Sequence, residues 1–254
     1  VAGDILQIEA DAALVNLFEG VERPGGATGA VDKALDGIIT KLISEGEIRG
    51  KLGEVVEIHT FGKIKPARVL VLGLGKQADF DLGKIRYALA EGARALRKIG
   101  IKKAATILHG AGAGGISPEA AAQMIAEGVL LGLYRYREFK SSEDEREPRE
   151  LLIVVRDPEQ VRAVEEGVRK GRILAEATNF ARDLTNKPGS TLTPRALAEE
   201  ARKMASELGF SCEILEREDM EKLGMGALLG VARGSHEPPK FIVLEYNGDP
   251  DSPS

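Results

Sequence analysis

Histidine and cysteine are the side chains in this sequence with the widest range of acid–base, nucleophilic and metal chemistry. The three histidines, His59, His109 and His236, are far apart, and no pair has the spacing that places two imidazoles on one helix face. We interpret His59 and His109, in or beside strands, as structural and His236 as a loop residue. Cys212 has no histidine or lysine close in sequence, so we interpret it as a small buried side chain. Spacing alone therefore reveals no nucleophile or metal site.

Glycine-rich segments offer a different chemistry, because exposed backbone N–H groups can bind anions. Residues 110–115 follow a predicted strand and precede a helix capped by Ser117, where a helix N-terminus adds positive potential. The spacing matches neither the P-loop nor the dinucleotide fingerprint, so a tight turn is the alternative. Residues 73–76 also follow a strand and are interpreted as a loop. The residues of the predicted anion-binding loop are Gly112, Gly114 and Gly115.

Strand and helix patterns alternate along the chain and predict an α/β fold. The elements of that fold must position the glycine-rich segments. Predicted strands are residues 4–8, 12–18, 54–60, 68–72, 104–108, 151–155, 211–215 and 241–246. Predicted helices cover residues 31–42, 82–99, 117–136, 158–186 and 194–208. We expect a mixed sheet with helices on both faces, then a long linker helix, then an incomplete second α/β domain. The predicted bounds are 1–156 for the N-terminal α/β domain, 157–187 for the linker helix and 188–254 for the second domain.

Composition restricts the classes of partner. The 254 residues are 43% hydrophobic and 30% charged, with a net charge of -5 and no tryptophan. A negative chain with few aromatic side chains is poorly suited to nucleic acid, and no apolar run is long enough to span a membrane. One cysteine excludes an internal disulfide, and no signal peptide is visible. We therefore predict a cytoplasmic protein without nucleic-acid or membrane partners.

Eight stretches, in order along nearly the whole chain, resemble the N-terminal part of the leucyl aminopeptidases, also called cytosol aminopeptidases. One of them is Asp-Ala-Ala-Leu-Val-Asn-Leu-Phe-Glu-Gly at 11–20, and another is Ala-Arg-Asp-Leu-Thr-Asn-Lys-Pro at 181–188. The other six are residues 50–54, 69–76, 127–136 followed by 139–141, 192–194, 225–231 and 239–246. Eight matches in the right order make coincidence improbable, although one alone would be weak.

The resemblance implies a homohexameric metallopeptidase that removes N-terminal residues from peptides. It further implies two divalent cations, zinc or manganese, that polarise the carbonyl and generate hydroxide. The family's ligand motifs, such as Asn-Thr-Asp-Ala-Glu-Gly-Arg, do not occur in this sequence and would follow the strand at 241–246. We therefore expect no catalytic residue, no metal ligand and no bound metal in this chain. It would be the non-catalytic N-terminal portion, serving folding, assembly and positioning, and inactive alone.

The N-terminal stretch also resembles a macro domain, the ADP-ribose-binding module. Residues 3–5, 11–16, 25–31 and 110–115 fall where that family contacts adenine, ribose and phosphate. In contrast, Glu19 stands near the place of an expected second asparagine, and its carboxylate would repel a phosphate. The implied fold is a macro-like sheet. The alternative function is an ADP-ribose-type or nucleotide-binding module, with a diphosphate over Gly112 to Gly115.

Overall fold

The structure is a computed structural model that describes residues 1–110, 115–140 and 146–248. The chain divides into two compact units, Val1–Phe180 and Ala181–Ser254, which are described separately. The strands of the first unit are β1 Ala12–Leu17, β2 Val55–His59, β3 Arg68–Gly73, β4 Lys103–Ile107 and β5 Glu150–Val154. Its helices are α1 Gly26–Ala34, α2 Ile38–Ser44, α3 Leu82–Lys98 and α4 Pro118–Gly132, followed by α5 Val161–Asn186, which continues into the second unit.

The five strands form one mixed sheet in the order β2-β3-β1-β4-β5. Strands β3, β1, β4 and β5 are parallel, and β2 pairs antiparallel with β3 at the edge. Leu14 on β1 is opposite Leu70 on β3 and Thr106 on β4. The predicted mixed α/β sheet is confirmed.

Successive side chains of the central strand β1 point alternately into two hydrophobic cores. Ala12 and Leu14 face one core with residues of α3, α4 and α5, while Ala13 and Val15 face the other with residues of α1 and α2. Successive side chains of a strand point to opposite faces, so a strand covered on both sides is apolar throughout. The first unit thus has the predicted helices on both faces of its sheet.

Glycines allow the helices on the first face to approach closely. A Cβ placed on Gly128 of α4 would lie 2.4 Å from the carbonyl oxygen of Arg86 on α3. A Cβ on Gly167 of α5 would lie 2.1 Å from the carbonyl oxygen of Glu119 on α4. Both distances are shorter than any real carbon–oxygen contact, so these positions require glycine.

Two predicted elements are wrong. Residues 4–8 form a turn rather than a strand, because Asp4 accepts hydrogen bonds from the backbone N–H groups of Leu6 and Gln7. The helix predicted over 31–42 is broken into α1 and α2 by Asp36 and Gly37, whose φ angles are +57° and +79°. The apolar period continues across the break, which is why the pattern suggested one helix.

The remaining predicted helices are present, and they differ from the predictions at their ends. Helix α4 ends at Gly132, before the predicted end near residue 136. A short 3-10 turn at Pro158–Gln160, capped by Asp157, leads into α5, whose 26 residues span roughly 39 Å at 1.5 Å per residue. The long helix is confirmed, and the domain bounds at 156/157 and 187/188 stay a prediction.

The second unit contains α6 Pro194–Leu208, β6 Ser211–Leu215, α7 Arg217–Lys222, α8 Gly226–Ala232 and β7 Phe241–Glu245. Thr193 caps α6 as predicted, and Gly209 ends it in the left-handed conformation. Strands β6 and β7 pair antiparallel into a two-stranded sheet. The short helices α7 and α8 were not predicted from the sequence.

Candidate functional site

A cleft of about 660 Å³ lies at the carboxyl ends of the parallel strands of the first unit. Its lining includes Asn16 to Phe18 at the end of β1, Ile107 and Leu108 at the end of β4, and Val154 to Arg156 at the end of β5. The chain leaves β1 toward one side of the sheet and leaves β4 toward the other, so this cleft lies at a topological switch point. Open α/β sheets bind their ligands at such points, and the volume is typical of a small-molecule site.

Asn16 is held in one orientation by a buried histidine. His109 is fully buried, and its Nδ1 lies 3.1 Å from Asn16 Oδ1 while its Nε2 lies 2.7 Å from Thr106 Oγ1. Since Asn16 Oδ1 can only accept, His109 Nδ1 carries the hydrogen and Nε2 accepts from the threonine hydroxyl. Burial lowers the pKa of His109 to about 3, so the imidazole is neutral at pH 7.

The amide nitrogen of Asn16 is consequently left facing the cleft. Asn16 lines the cleft, and none of the described residues accepts a hydrogen bond from its Nδ2. The histidine behind it cannot act as an acid or base at neutral pH, but it fixes which amide atom the cleft meets. His109 is therefore a buried, hydrogen-bonded structural histidine, as interpreted from the sequence, and it orients the Asn16 amide.

The N-terminus of α1 forms a second polar wall. Gly25 is the N-cap and provides no side-chain cap, and Gly25 to Thr28 line the cleft. The Oγ1 of Thr28 donates to the main-chain oxygen of Asn16 at 2.7 Å, which ties the first turn of the helix to the end of β1. The first three N–H groups of a helix have no partner within that helix, and they carry a partial positive charge.

The charges around the cleft have one sign. Although 40 of the 254 residues are Asp or Glu, the described residues that line the cleft include no carboxylate. They include one cation, Arg156, which is exposed and makes no ion pair with the described residues. The sequence analysis missed Arg156, although its position directly after a predicted strand was a usable signal. This cleft is compatible with an anion.

An aromatic pair and a glycine build the apolar side. Phe18 lines the cleft and packs edge-to-face against Phe80, with ring centroids 5.0 Å apart. Gly110 has a φ of +81°, and a Cβ there would lie 2.5 Å from the Phe80 ring. Gly110 is therefore required both by its backbone conformation and by this ring contact.

The predicted anion-binding loop is only partly within the described chain. Gly112 and Gly114 lie outside the described residues, so the structure does not place them. Gly115 is described, with a φ of +66°, but it is not among the residues that line the cleft. Glu19, expected to repel a phosphate, is also absent from the described lining, and its N–H donates to the carbonyl of Gly75.

Other candidate residues have structural roles. Asp81 caps α3 by accepting from the N–H of Lys84, as expected for an Asp before a helix. His59 and His236 are exposed, and Cys212 is partly buried on β6. Across the described ranges, no three His, Cys, Asp or Glu side chains come together to hold a metal ion. The described residues therefore do not fit a two-metal centre.

The glycine-containing stretches at 50–54 and 73–76 pack against each other. A Cβ on Gly73 would lie 1.9 Å from the carbonyl oxygen of Lys51, and the N–H of Gly75 donates to the carbonyl of Gly50. The Glu54 carboxylate accepts from the N–H groups of Arg49 and Gly50. Gly73 is the last residue of β3, and residues 74–76 form the loop that was interpreted for 73–76. The stretch at 50–54 has a structural role as well.

Family profiles match most of the chain. The profile for the N-terminal domain of the cytosol aminopeptidase family matches residues 14–143, and that for the catalytic domain of the same family matches residues 179–254. The chain belongs to the cytosol aminopeptidase family. The predicted resemblance is thereby confirmed, including the order of the two regions.

Individual relatives agree with this assignment. A protein of Alkaliphilus metalliredigens described as "Probable cytosol aminopeptidase" is 38% identical over 247 residues, which are 96% of this chain and 49% of the relative. One of Solibacter usitatus with the same description is 40% identical over 240 residues, 94% of this chain and 46% of the relative. The chain spans about half the length of the curated relatives it matches.

Solved structures of similar proteins share the fold. A mutant of tomato leucine aminopeptidase superposes with a TM-score of 0.80 at 26% identity, covering 96% of this chain and 49% of that one. The bottromycin maturation enzyme BotP, solved also in complex with Mn, gives a TM-score of 0.72 at 32% identity, covering 94% of this chain and 46% (45% with Mn) of that enzyme. No helix within the described ranges is both long and apolar enough to cross a membrane.

Proposed function

We propose that this chain is the non-catalytic N-terminal portion of a metal-dependent leucyl-type aminopeptidase, which removes N-terminal residues from peptides. The observation that carries the proposal is the ordered match of both family domains in a chain that spans half the length of its relatives. In this role the first unit and α5 serve folding, assembly and positioning of the catalytic machinery.

The whole protein is proposed to use two divalent cations, zinc or manganese. One similar structure contains Mn, and metal supplies hydroxide and polarises the carbonyl in this class of reaction. The described residues contain no suitable donor set, so none of them is assigned as a metal ligand. The whole protein is further proposed to be a cytoplasmic homohexamer, with peptides rather than nucleic acid or membranes as partners.

The alternative function, a stand-alone nucleotide-binding macro-like module, accounts for the cleft but not for the rest of the chain. Such a module has no use for α5 or for residues 181–248, and the catalytic-domain profile matches that region. The alternative is therefore less well supported as the function of the whole chain.

Release of chromophore from a leucine anilide tests the proposal. With added manganese, the 254-residue chain is expected to give no turnover, whereas the longer gene product gives metal-dependent turnover that a chelator abolishes. Light scattering of the longer product is expected to give six times the mass of its chain. Chelator-sensitive turnover by the short chain would show that it contains a complete site, and inactivity of both proteins would contradict the peptidase function.

A further inference from the structure

Asn247 is followed by Gly248, and this pair lies just beyond β7 in the second unit. The backbone nitrogen that follows an asparagine can attack the side-chain Cγ, which closes a succinimide ring and removes the amide. Glycine in the second position favours this reaction, because it has no side chain to obstruct the attack and its backbone is the most flexible. The sequence therefore makes this pair a chemically labile position.

Both reacting groups of the pair are accessible in the structure. Asn247 and Gly248 are exposed, and among the described residues no hydrogen bond holds the Asn247 amide or the Gly248 N–H. Backbone N–H groups of a folded chain are mostly held in hydrogen bonds, which keep the nitrogen away from the preceding side chain. At Gly248 the fold provides no such restraint.

The other three asparagines of the chain are in restrained surroundings, and none of them is followed by glycine. Asn16 lies within β1 and Asn179 within α5, where the backbone conformation is fixed. Asn186 is the last residue of α5, and the N–H of Lys187 after it donates to the carbonyl of Leu184 at 3.3 Å. Asn247 is therefore expected to react well before the others.

Asp36 and Gly37 provide a comparison within the same chain, because an aspartate side chain followed by glycine can close the same ring. Here the fold restrains both groups. The N–H of Gly37 donates to the carbonyl oxygen of Asp32 at 2.8 Å, and the Asp36 carboxylate forms an ion pair with Lys63. Ring closure requires both contacts to break, so the folded structure protects this pair and leaves Asn247 and Gly248 unprotected.

We propose that Asn247 is a site of non-enzymatic deamidation, with the backbone nitrogen of Gly248 as the nucleophile. That nitrogen forms a bond to Asn247 Cγ, its proton passes through water to the side-chain amide, and the amide nitrogen leaves as ammonia. Water then opens the succinimide at either carbonyl and gives aspartate or isoaspartate. Both products add a negative charge beyond β7, and isoaspartate also lengthens the backbone by a methylene group. The proposal goes beyond the peptidase function and does not depend on it.

The experiment is incubation of the folded 254-residue chain at mildly alkaline pH, followed by trypsin digestion and mass spectrometry. No Lys or Arg follows Lys240, so residues 241–254 are released as one peptide in which Asn247 is the single asparagine. This peptide should gain the mass of an amide-to-acid change, in two products that chromatography separates. The rate should be within about threefold of the rate in urea, because no folded contact has to open first.

The tryptic peptide of residues 34–41, which contains Asp36 and Gly37, is the internal control. Labelling by an isoaspartate-specific methyltransferase measures ring closure there, where no mass changes. Isoaspartate should form in this peptide at least about tenfold more slowly in the folded chain than in urea, since the Gly37 N–H must first leave its hydrogen bond. Equal protection of the two peptides by folding would contradict the assigned difference between the two pairs.

Three variants identify the reacting groups. Asn247→Gln should abolish the mass gain, because the longer side chain would have to close a larger ring. Gly248→Ala should slow it at least about tenfold by obstructing the attack; the new methyl would lie 2.6 Å from the Tyr246 ring, which is 71% exposed and free to shift. Asn186→Gln is the matched control and should leave the rate unchanged. Absence of a mass gain in the 241–254 peptide of the folded chain would overturn the proposal, and so would an equal gain at Asn186.

Discussion

The two units of this chain bury their apolar side chains to very different extents. In the first unit, both faces of the five-stranded sheet are covered, and the side chains of β1 from Ala12 to Val15 are fully buried. Among the described residues of the second unit, the buried apolar side chains are Ala198, Ala201, Ala205, Met220 and Pro239. The first unit therefore has the core of an independently folding domain, and the second has a small one.

The second unit also exposes large apolar side chains, although the first unit has one of its own in Phe61, which is 90% exposed. Val231 is 85% exposed, Leu223 is 66% exposed and Tyr246 is 71% exposed. On β7, Val243 and its neighbour Leu244 are both more than one-third exposed, although neighbouring residues point to opposite faces of a sheet. A two-stranded sheet with apolar side chains exposed on both faces is expected to depend on additional protein surface for its stability. Four substitutions can sharpen or contradict this difference between the units.

Gly167→Ala should have the largest effect, a loss of about 3 kcal/mol in the stability of the first unit. The added methyl would lie 2.1 Å from the carbonyl of Glu119, so α5 and α4 must separate. Chemical denaturation followed by circular dichroism measures the change. An unchanged midpoint would mean that the helices of the first unit are not in close contact, which would remove much of its contrast with the second.

Asp32→Ala should destabilise the first unit by about 2 kcal/mol. Asp32 Oδ1 accepts from the N–H groups of Ile39 and Thr40, and Oδ2 accepts from the Thr40 hydroxyl. Removal of the carboxylate leaves the buried N–H of Ile39 without a partner at the start of α2. The same denaturation measurement applies, and Asp32→Asn should recover part of the loss because it keeps one acceptor oxygen. Equal losses for both variants would contradict this assignment.

The break between α1 and α2 also shows where sequence patterns stop being informative. The strands and most helices could be predicted because periodicity reports burial, and β6 was predicted with its observed bounds. The turn at Asp36 and Gly37 could not, since it depends on Asp32 reaching across the break to cap α2. The turn at residues 4–8 was missed for a similar reason, because local hydrogen bonds to Asp4 override an apolar pattern.

For the cleft, the sequence could indicate the end of the sheet at which loops meet, but it could not indicate which side chains contact each other there. The glycine run begins at Gly110, which lies at the carboxyl edge of the sheet, whereas the anion-binding role of Gly112, Gly114 and Gly115 stays a prediction. Asn16 and His109 contact each other although they are 93 positions apart in sequence, and neither residue type indicates that the other is its partner. Arg156 could have been found by the argument that selected the glycine loop, because it too directly follows a predicted strand.

His109 should make the first unit acid-sensitive. Its pKa is lowered from 6.5 to about 3 by burial, so below pH 6.5 the unfolded state binds a proton that the folded state does not. Its contribution to stability is therefore complete above pH 6.5 and is lost as pH falls toward 3, with a slope of about 1.4 kcal/mol per pH unit. Between pH 6.5 and 5, before most carboxylates titrate, this slope dominates.

Denaturation at several pH values compares the native chain with two variants. His109→Asn should be less stable at pH 7 but should have a flatter pH dependence between pH 6.5 and 5. His236→Asn, in the second unit, should leave the slope unchanged because that side chain is exposed in the folded chain as well. Equal slopes for the native chain and His109→Asn would show that His109 is not buried as a neutral group.

Gly230→Ala should have the smallest effect and the opposite sign. Gly230 lies within α8 of the second unit, and a Cβ there meets no atom within 4 Å, unlike Gly167 in the first unit. Alanine is favoured over glycine in a helix by up to about 1 kcal/mol, and a short helix near its end gains roughly half of that. Hydrogen exchange of the α8 amides measures the change, since the second unit can open without the first. Slower exchange supports an open, loosely packed second unit. Faster exchange would mean that the added methyl meets a neighbour, and that the second unit is packed as tightly as the first.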